Sequence, residues 1–313
     1  MNIREVKILY LGTPEISAFV LKKMIEDNFN IVGVVTQIDK VQGRNNKLVA
    51  SPVKVVAQEH GIKILQPEKV RDIIEETKDL DPDLILCLAY GQIVPEDFLN
   101  IPKYGSLNLH GSLLPAYRGA APMQYSLLNG DAVTGITLME MVKKMDAGRM
   151  YYKEVVDIDN NDNYDTLTIK MAKAAAKIVI EQLENYVNGK LIGEEQNEEL
   201  VTFTKKIMLE DEVINFDISA EEVRNKIRAL AMTPGAYFVY QNEKYKLFDV
   251  DIVEVSGYKS GSIVEYNKND FIIACAKNAI KIKIIQKPGK RIMNYKDFYN
   301  GNRDLFVVKT AIN

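Results

Sequence analysis

The chain has 313 residues, 47% of them hydrophobic, with 40 Lys/Arg against 43 Asp/Glu and a formal net charge of −3. That is enough apolar content for a core in each of two domains, and the charge excludes any general attraction to nucleic acid or membrane. No apolar run approaches the ~20 residues of a membrane span, and the two distant cysteines, Cys87 and Cys275, support no disulfide framework, so a soluble cytoplasmic protein is expected.

The opening stretch MNIREVKILYLG reads as the start of a strand rather than as a signal peptide, its apolar run being short and without a cleavage pattern. Residues 6–11 form a buried strand closed by Gly12-Thr13-Pro14, and 15–26 place apolar residues at helical spacing behind acidic Glu15. A second strand at 31–36 leads into a polar stretch over 37–50. Ser51 and Pro52 then read as N-cap and first-turn proline of a helix that reaches His60 and stops at Gly61. A short strand at 63–66 and a helix at 68–78 follow. Residues 84–89 (LILCLA) are apolar throughout, as suits the centre of a parallel sheet covered on both faces. Strands at 105–109 and 135–141 and a long amphipathic helix at 165–188 complete this part. The alternation predicts an α/β fold with a doubly wound, Rossmann-like sheet, whose ligand sits at the carboxyl ends of the strands where chain order reverses.

Residues 188–204 carry two glycines and four glutamates without a helical or strand period, and read as a linker. Beyond them come a helix at 221–230 and short strands at 236–240, 245–255, 261–266, 271–276 and 279–286. Turns at Asn242, Gly257, Asn267 and Asn278 separate the strands, and a small open β-barrel is predicted. The expected domains are thus 1–188, a linker at 189–206, and 207–313. Residues 271–313 hold nine Lys/Arg against two Asp/Glu, so a polyanion would meet a basic surface there; the alternative is a solvated, lysine-rich face.

Gly12-Thr13-Pro14 has one glycine where a dinucleotide-binding turn has three, and its proline lacks an amide donor. No GxxxxGK[ST] occurs, so neither a nicotinamide or flavin dinucleotide nor phosphate-loop hydrolysis is expected. The two histidines, His60 and His110, lie apart and the cysteines do not cluster, so no metal is expected either. His60 reads as a helix-end cap or surface residue. His110 ends an apolar strand two residues after Asn108, so both side chains leave one face of that strand, at the edge where α/β enzymes hold their sites. An amide there can donate to an oxygen that gains charge in a tetrahedral intermediate, and an imidazole can stabilise that charge or move a proton. Asp146, in the turn KKMDAG after the next strand, could orient and charge the ring. On spacing alone, a satisfied structural histidine is the plainer account of His110.

The stretch NLHGSLLPAYRGAAPMQYSLLNGD at 108–131 resembles the signature of the formyltetrahydrofolate-dependent formyltransferases. The resemblance covers nearly the whole chain. It includes Gly12-Thr13-Pro14-Glu15, Gly33-Val34-Val35-Thr36-Gln37, Ser51-Pro52-Val53-Lys54, Ala89-Tyr90-Gly91-Gln92, the strand at 135–141, Arg228-Ala229-Leu230 and QKPGK at 286–290. It implies a catalytic trio of Asn108, His110 and Asp146. It also implies a folate site lined by Ser112, Leu113, Leu114 and Pro115, with Tyr90, Gly91 and Gln92 near the pterin. The implied reaction is direct attack by the neutral α-amine of methionyl initiator tRNA on the formyl carbon of 10-formyltetrahydrofolate, a consumed co-substrate. Neither a covalent enzyme intermediate nor a metal is required.

Two stretches of the resemblance imply an RNA substrate. Lys40, Arg44 and Lys47 lie where the family has a basic loop that enters the acceptor end of the tRNA, and Arg44 matches its key arginine. The barrel resembles the family's OB-like domain, with Lys281, Lys283, Lys287, Lys290 and Arg291 expected on phosphates. Neither membrane nor DNA is implied as a partner. Arg118 either binds an anionic ligand group or holds its loop through backbone carbonyls. The chain departs from the family in having Ile38 for a proline, Asn45-Asn46 for a more basic pair, and Val142, Lys144 and Arg149 where acidic or glycine residues are usual. Met232-Thr233-Pro234 also lacks the family's Pro-Trp pair. Three rival readings are a formyltransferase acting on a small amine (a purine precursor or amino sugar nucleotide), a catalytically silent RNA-binding relative, and a dinucleotide-dependent dehydrogenase. The first shares the trio, whereas Arg44, the barrel and SPVK favour tRNA. The intact trio argues against the second, and the first turn against the third.

Overall fold

The apolar runs separated by turn residues become strands of one sheet, in the following order along the chain. The elements are β1 (Ile8–Gly12), α1 (Glu15–Glu26), β2 (Ile31–Val35), β3 (Lys40–Gln42), β4 (Lys47–Val49), α2 (Pro52–Glu59), β5 (Ile64–Leu65), α3 (Ile74–Leu80), β6 (Leu84–Leu88) and α4 (Glu96–Leu99). They continue with β7 (Ser106–His110), β8 (Arg118–Gly119), α5 (Pro122–Leu128), β9 (Val133–Glu140), β10 (Met150–Asp157), α6 (Tyr164–Val187) and β11 (Phe203–Thr204). The structure, a computed structural model, describes residues 1–42 and 47–312. Its contacts divide into two compact units. One comprises Met1–Pro122, Val133–Asp157 and Thr168–Thr204, and the other Met123–Ala132, Ile158–Leu167 and Lys205–Asn313.

In the first unit the strand order is β10-β9-β7-β6-β1-β2-β5. From β5 to β7 the strands are parallel; β9 and β10 are antiparallel additions at one edge. Every residue of β1 and β6 is buried, which is why both read as unbroken apolar runs. Gly12 is required by close packing: a Cβ there would lie 1.7 Å from the Ser17 hydroxyl oxygen. Chain order reverses at β1 and β6, since β2 lies on one side of β1 and β6 on the other. The doubly wound expectation is met, and in such sheets a ligand binds at the carboxyl ends of the strands flanking the reversal.

Two differences between the sequence reading and the structure lie in the segment after β2 and at the edge of the main sheet. Residues 37–50 contain a two-stranded hairpin, β3 with β4, rather than a loop throughout. The strands are three residues each and largely exposed, too short to display a period. The base of the hairpin is tied down: Lys54 Nζ donates to both Asp39 carboxylate oxygens at 2.9 and 2.7 Å, and Gln66 Nε2 donates to Asp39 Oδ1 at 2.8 Å. The other difference is β10, an edge strand whose residues are mostly exposed or half-buried. Its lysine and glutamate hide the pattern expected of a core strand.

The second unit contains α7 (Ala220–Leu230), β12 (Ala236–Tyr240), β13 (Glu243–Val253), β14 (Ile263–Tyr266), β15 (Phe271–Ala274), β16 (Ala279–Gln286), β17 (Met293–Asn294) and α8 (Tyr295–Asn300). Its six strands form an antiparallel half-barrel in the order β12-β13-β16-β15-β14, with β17 on β16. Ser219 caps α7 reciprocally with Glu222, as the Ser-x-x-Glu spacing dictates. Phe238, Tyr245, Phe271, Phe298 and Phe306 form the centre of the core, with Phe238 stacked on Tyr245 at 5.5 Å between ring centroids.

Both cysteines are buried as free thiols, and burial pushes each thiol up to about 12. The thiolate is the reactive form. At pH 8 the native protein is therefore expected to resist a thiol-specific disulfide reagent, and the denatured protein to react at both cysteines. Rapid reaction of either thiol in the native protein would contradict the burial.

Candidate active site

The turns that leave β1 and β6 meet at the reversal of chain order. The Thr13 hydroxyl donates to the Tyr90 carbonyl at 2.8 Å, and Gln37 Nε2 donates to the same oxygen at 3.3 Å. Ala89 (φ 51°) and Gly91 (φ 93°) bend the chain sharply after β6. The Tyr90 ring is buried in the apolar cluster under this turn, and its hydroxyl has no hydrogen-bond partner among the described residues. Gln92 Nε2 donates to the Pro67 carbonyl at 3.2 Å.

Across the sheet, Leu11, Cys87, Asn108 and Met139 stand in register on β1, β6, β7 and β9, so their side chains share one face. Leu11, Cys87 and Met139 are buried. Asn108 is half-buried, and its carboxamide makes no hydrogen bond among the described residues. A partly desolvated amide without a partner is costly unless a ligand supplies one. The Asn108 carboxamide is thus left with its donors and acceptor unused by the described residues.

His110 is two residues further along the same strand. Its Nδ1 lies 3.6 Å from Asp146 Oδ1, with the two side chains 6% and 15% exposed. At that burial their interaction is little screened by solvent. The other ring nitrogen, Nε2, is 2.9 Å from the Tyr117 carbonyl. Each ring nitrogen thus faces an oxygen acceptor, and a neutral ring can donate to one of them at a time. Asp146 itself stands in the left-handed region (φ 50°) on the turn between β9 and β10. Its Oδ2 accepts from the Gly119 amide at 2.8 Å, which leaves Oδ1 toward the ring. The structure therefore brings Asn108, His110 and Asp146 to one place, from β7 and the turn after β9.

The loop after His110 is fixed by hydrogen bonds. The Ser112 hydroxyl donates to the Ala116 carbonyl at 2.6 Å, and the Thr137 hydroxyl to the Ser112 carbonyl at 2.6 Å. The Leu114 amide donates to Thr137 Oγ1 at 3.1 Å. Ser112 and Leu114 are buried, whereas Leu113 and Pro115 are half-exposed. Ser112 thus uses its hydroxyl within the loop, and the half-exposed Leu113 and Pro115 are the apolar side chains left to line a pocket.

Residues missed in the sequence reading hold this arrangement from outside. β11 pairs parallel with β8, and the Tyr117 amide donates to the Thr202 hydroxyl at 2.8 Å. Gly119 lies at φ 109°, where a Cβ would come within 2.5 Å of the Thr204 carbonyl oxygen, so only glycine permits this pairing. Arg118 is fully buried. Its Nε donates to Gln196 Oε1 at 2.9 Å and its Nη2 to Glu198 Oε1 at 2.8 Å. Of the two roles open to Arg118, the structure shows the loop-holding one, made through side chains at 196 and 198 rather than through backbone carbonyls. The Arg118 guanidinium, and then Lys144, hold the Glu198 carboxyl down at about 2. The signal available in the sequence was the pair Glu195 and Glu198, opposite in sign to the unusual Lys144 and Arg149.

The cations expected on RNA are distributed unevenly. Lys40 and Lys47 are exposed on the hairpin, and Arg44 lies outside the described residues. Lys281 pairs with Asp270, and Lys283 pairs with Asp249 at 2.9 Å and Asp251 at 3.4 Å. Lys287 Nζ reaches Asn302 Oδ1 at 3.4 Å. Lys290 and Arg291 are exposed in the turn between β16 and β17. Among the described residues no His, Cys, Asp and Glu cluster could hold a metal ion, and no helix is long and apolar enough to cross a membrane.

Replacing Arg118 by methionine strands Gln196 Oε1 in the interior without its donor. The expected loss is about 1–3 kcal/mol of folding free energy, read as a lower urea midpoint. An unchanged midpoint would show that the buried guanidinium contributes nothing net.

Comparison with known proteins shows the family. Residues 6–183 match the family model described as formyl transferase, and residues 206–303 match that of its C-terminal domain. A methionyl-tRNA formyltransferase of Bacillus subtilis is 42% identical over 299 residues, covering 94% of this chain and 94% of that protein. One from Lactobacillus acidophilus is 40% identical over 308 residues, covering 97% and 98%. The crystal structure of an N-formyltransferase from Helicobacter canadensis, in complex with folinic acid and dTDP-3-aminofucose, superposes with a TM-score of 0.67. That match covers 90% of this chain and 99% of that one at 19% identity, and it shows a shared fold. The chain belongs to the formyl transferase family.

Proposed function

We infer that the chain transfers the formyl group of 10-formyltetrahydrofolate to the α-amino group of methionyl initiator tRNA, the step that prepares the initiator for translation. The near-complete coverage of relatives that carry this activity supports the tRNA substrate over a small amine. The observation that carries the chemistry is the unpartnered Asn108 carboxamide beside the His110–Asp146 pair, 3.6 Å apart.

The residues suit acyl transfer without a nucleophile from the enzyme. As the neutral amine attacks the formyl carbon, its carbonyl oxygen gains charge, and Asn108 Nδ2 and a ring N–H of His110 are the donors that meet it. Donation from His110 requires a ring N–H to turn from the Tyr117 carbonyl or to lie between it and the substrate. Asp146 orients the ring and orders solvent to accept the proton that the amine sheds. Collapse of the intermediate returns the carbonyl and releases the folate nitrogen, which takes up a proton. The orphaned hydroxyl of Tyr90 and the half-exposed Leu113 and Pro115 fit a flat, mostly apolar ligand with polar edges. Ser112, Leu114, Gly91 and Gln92 shape that pocket. Lys40 and Lys47, with Arg44 between them in the sequence, would meet the acceptor end. The exposed Lys290 and Arg291, with Lys281, Lys283 and Lys287, would meet phosphates from the half-barrel. Such a substrate places the reaction in the cytoplasm.

Formyl transfer from 10-formyltetrahydrofolate is expected to be fast with methionyl-tRNA and far slower with free methionine or a purine-pathway amine. Equal rates with free methionine would remove the RNA substrate. His110→Ala and Asp146→Ala should each lose kcat by at least roughly a hundredfold; near-normal turnover in both would remove the mechanism. Arg44→Ala should raise KM for the tRNA and leave folate affinity intact, which a folate-binding titration checks independently.

A further inference from the structure

The segment after α6 runs antiparallel along the turn that carries Asp146, and the two match residue by residue. Met150 and Glu194 exchange backbone hydrogen bonds, each 2.9 Å. Arg149 Nε donates to Glu195 Oε1 at 2.7 Å, and Lys144 Nζ to Glu198 Oε2 at 2.9 Å. Between these exposed ion pairs lies Gln196, which is 8% exposed. Its Nε2 donates to the carbonyls of Asp146 and Gly148, both at 2.8 Å, while its Oε1 accepts from Arg118.

The outer ion pairs are solvated and contribute little each. Gln196 differs because its carboxamide is buried and three of its hydrogen-bonding positions are used. With these bonds a closed ring forms. Gly119 donates to the Asp146 carboxylate, Asp146 accepts through its carbonyl from Gln196, Gln196 accepts from Arg118, and Arg118 is bonded to Gly119. The carboxylate and the carbonyl of one residue are thus both tied, which fixes a left-handed turn residue against rotation. A side chain that must sit within a fraction of an ångström of its partner needs such support.

We propose that Gln196 is a positioning residue for catalysis: its two donated hydrogen bonds hold Asp146 at the distance from His110 that formyl transfer requires. Lys144 and Arg149, where the family usually has acidic or glycine residues, are accommodated here by Glu198 and Glu195 and align the strap in register. This inference rests on the catalytic role of Asp146 proposed above.

Gln196→Glu keeps an acceptor for Arg118 and loses both donors to the turn, so it separates support of Asp146 from support of Arg118. In the full-length enzyme we expect kcat to fall by about tenfold or more while KM for both substrates stays within about threefold, because misplacement of a catalytic group acts on the transition state. In an Asp146→Ala background the same substitution should change kcat by less than about twofold, since no carboxylate is left to position. Glu195→Ala, which removes an exposed pair only, should leave kcat within about twofold of the parent. If thermal melting shows that Gln196→Glu does not fold, Gln196→Met removes the acceptor for Arg118 together with both donors, and comparing its kcat loss in the parent and Asp146→Ala backgrounds separates the part that acts through Asp146. Parental kcat in the position-196 variant, or an equal fractional loss in both backgrounds, would overturn the proposal. Parental turnover in Asp146→Ala alone would instead defeat the site assignment, and the proposal with it.

Discussion

A turn residue can serve a ring on a neighbouring strand only if its carboxylate is prevented from swinging into solvent. Asp146 meets that condition through the Gly119 amide, which takes one carboxylate oxygen at 2.8 Å and leaves the other 3.6 Å from His110. The rest of the site follows from this tether. Gly119 holds its place because β8 pairs with β11, and Arg118 next to it is locked by Gln196 and Glu198. The loop from His110 to Gly119 is therefore closed at both ends, one on the sheet and one on the strap. Nothing in it depends on long-range charge. Its precision comes from short hydrogen bonds made in partial burial, where each is stronger than in water.

The sheet supplies the other half of the geometry. Asn108 sits in a cross-strand row whose other members are Leu11, Cys87 and Met139. Apolar neighbours on both sides leave the carboxamide without a competing partner in this row. The same surroundings act on Cys87, one strand away: burial pushes its thiol up to about 12, and the Asp146 carboxylate acts in the same direction. The central sheet thus provides a dry floor and the loops provide the polar groups, an arrangement in which developing charge is stabilised by dipoles that are already oriented.

Much of this was legible in the chain, and the limits have physical causes. Strands such as LILCL declare themselves because burial on both faces demands unbroken apolar runs, and the Ser51-Pro52 start because caps obey local rules. Asn108 and His110 were visible through period-two spacing, but their meeting with Asp146 depends on the antiparallel placement of β9 beside β7, which spacing does not reveal. The segment at 188–204 looked like a linker because its interactions are almost all with residues 40 to 90 positions earlier. Gln196, Glu198 and Thr202 make sense only against Arg118, Asp146 and Tyr117. In the second unit the strands were legible, but charge counting overstated the free cations, since Lys281 pairs with Asp270, just before β15, and Lys283 with Asp249 on β13.

The account is tested most directly by a crystal structure of the chain bound to a hydrolysis-resistant 10-formyl folate. The formyl oxygen should lie within about 3.2 Å of both Asn108 Nδ2 and a nitrogen of the His110 ring, with Asp146 still in contact with that ring. A formyl group bound with its oxygen directed away from Asn108, or an Asp146 carboxylate turned to solvent in that complex, would contradict it.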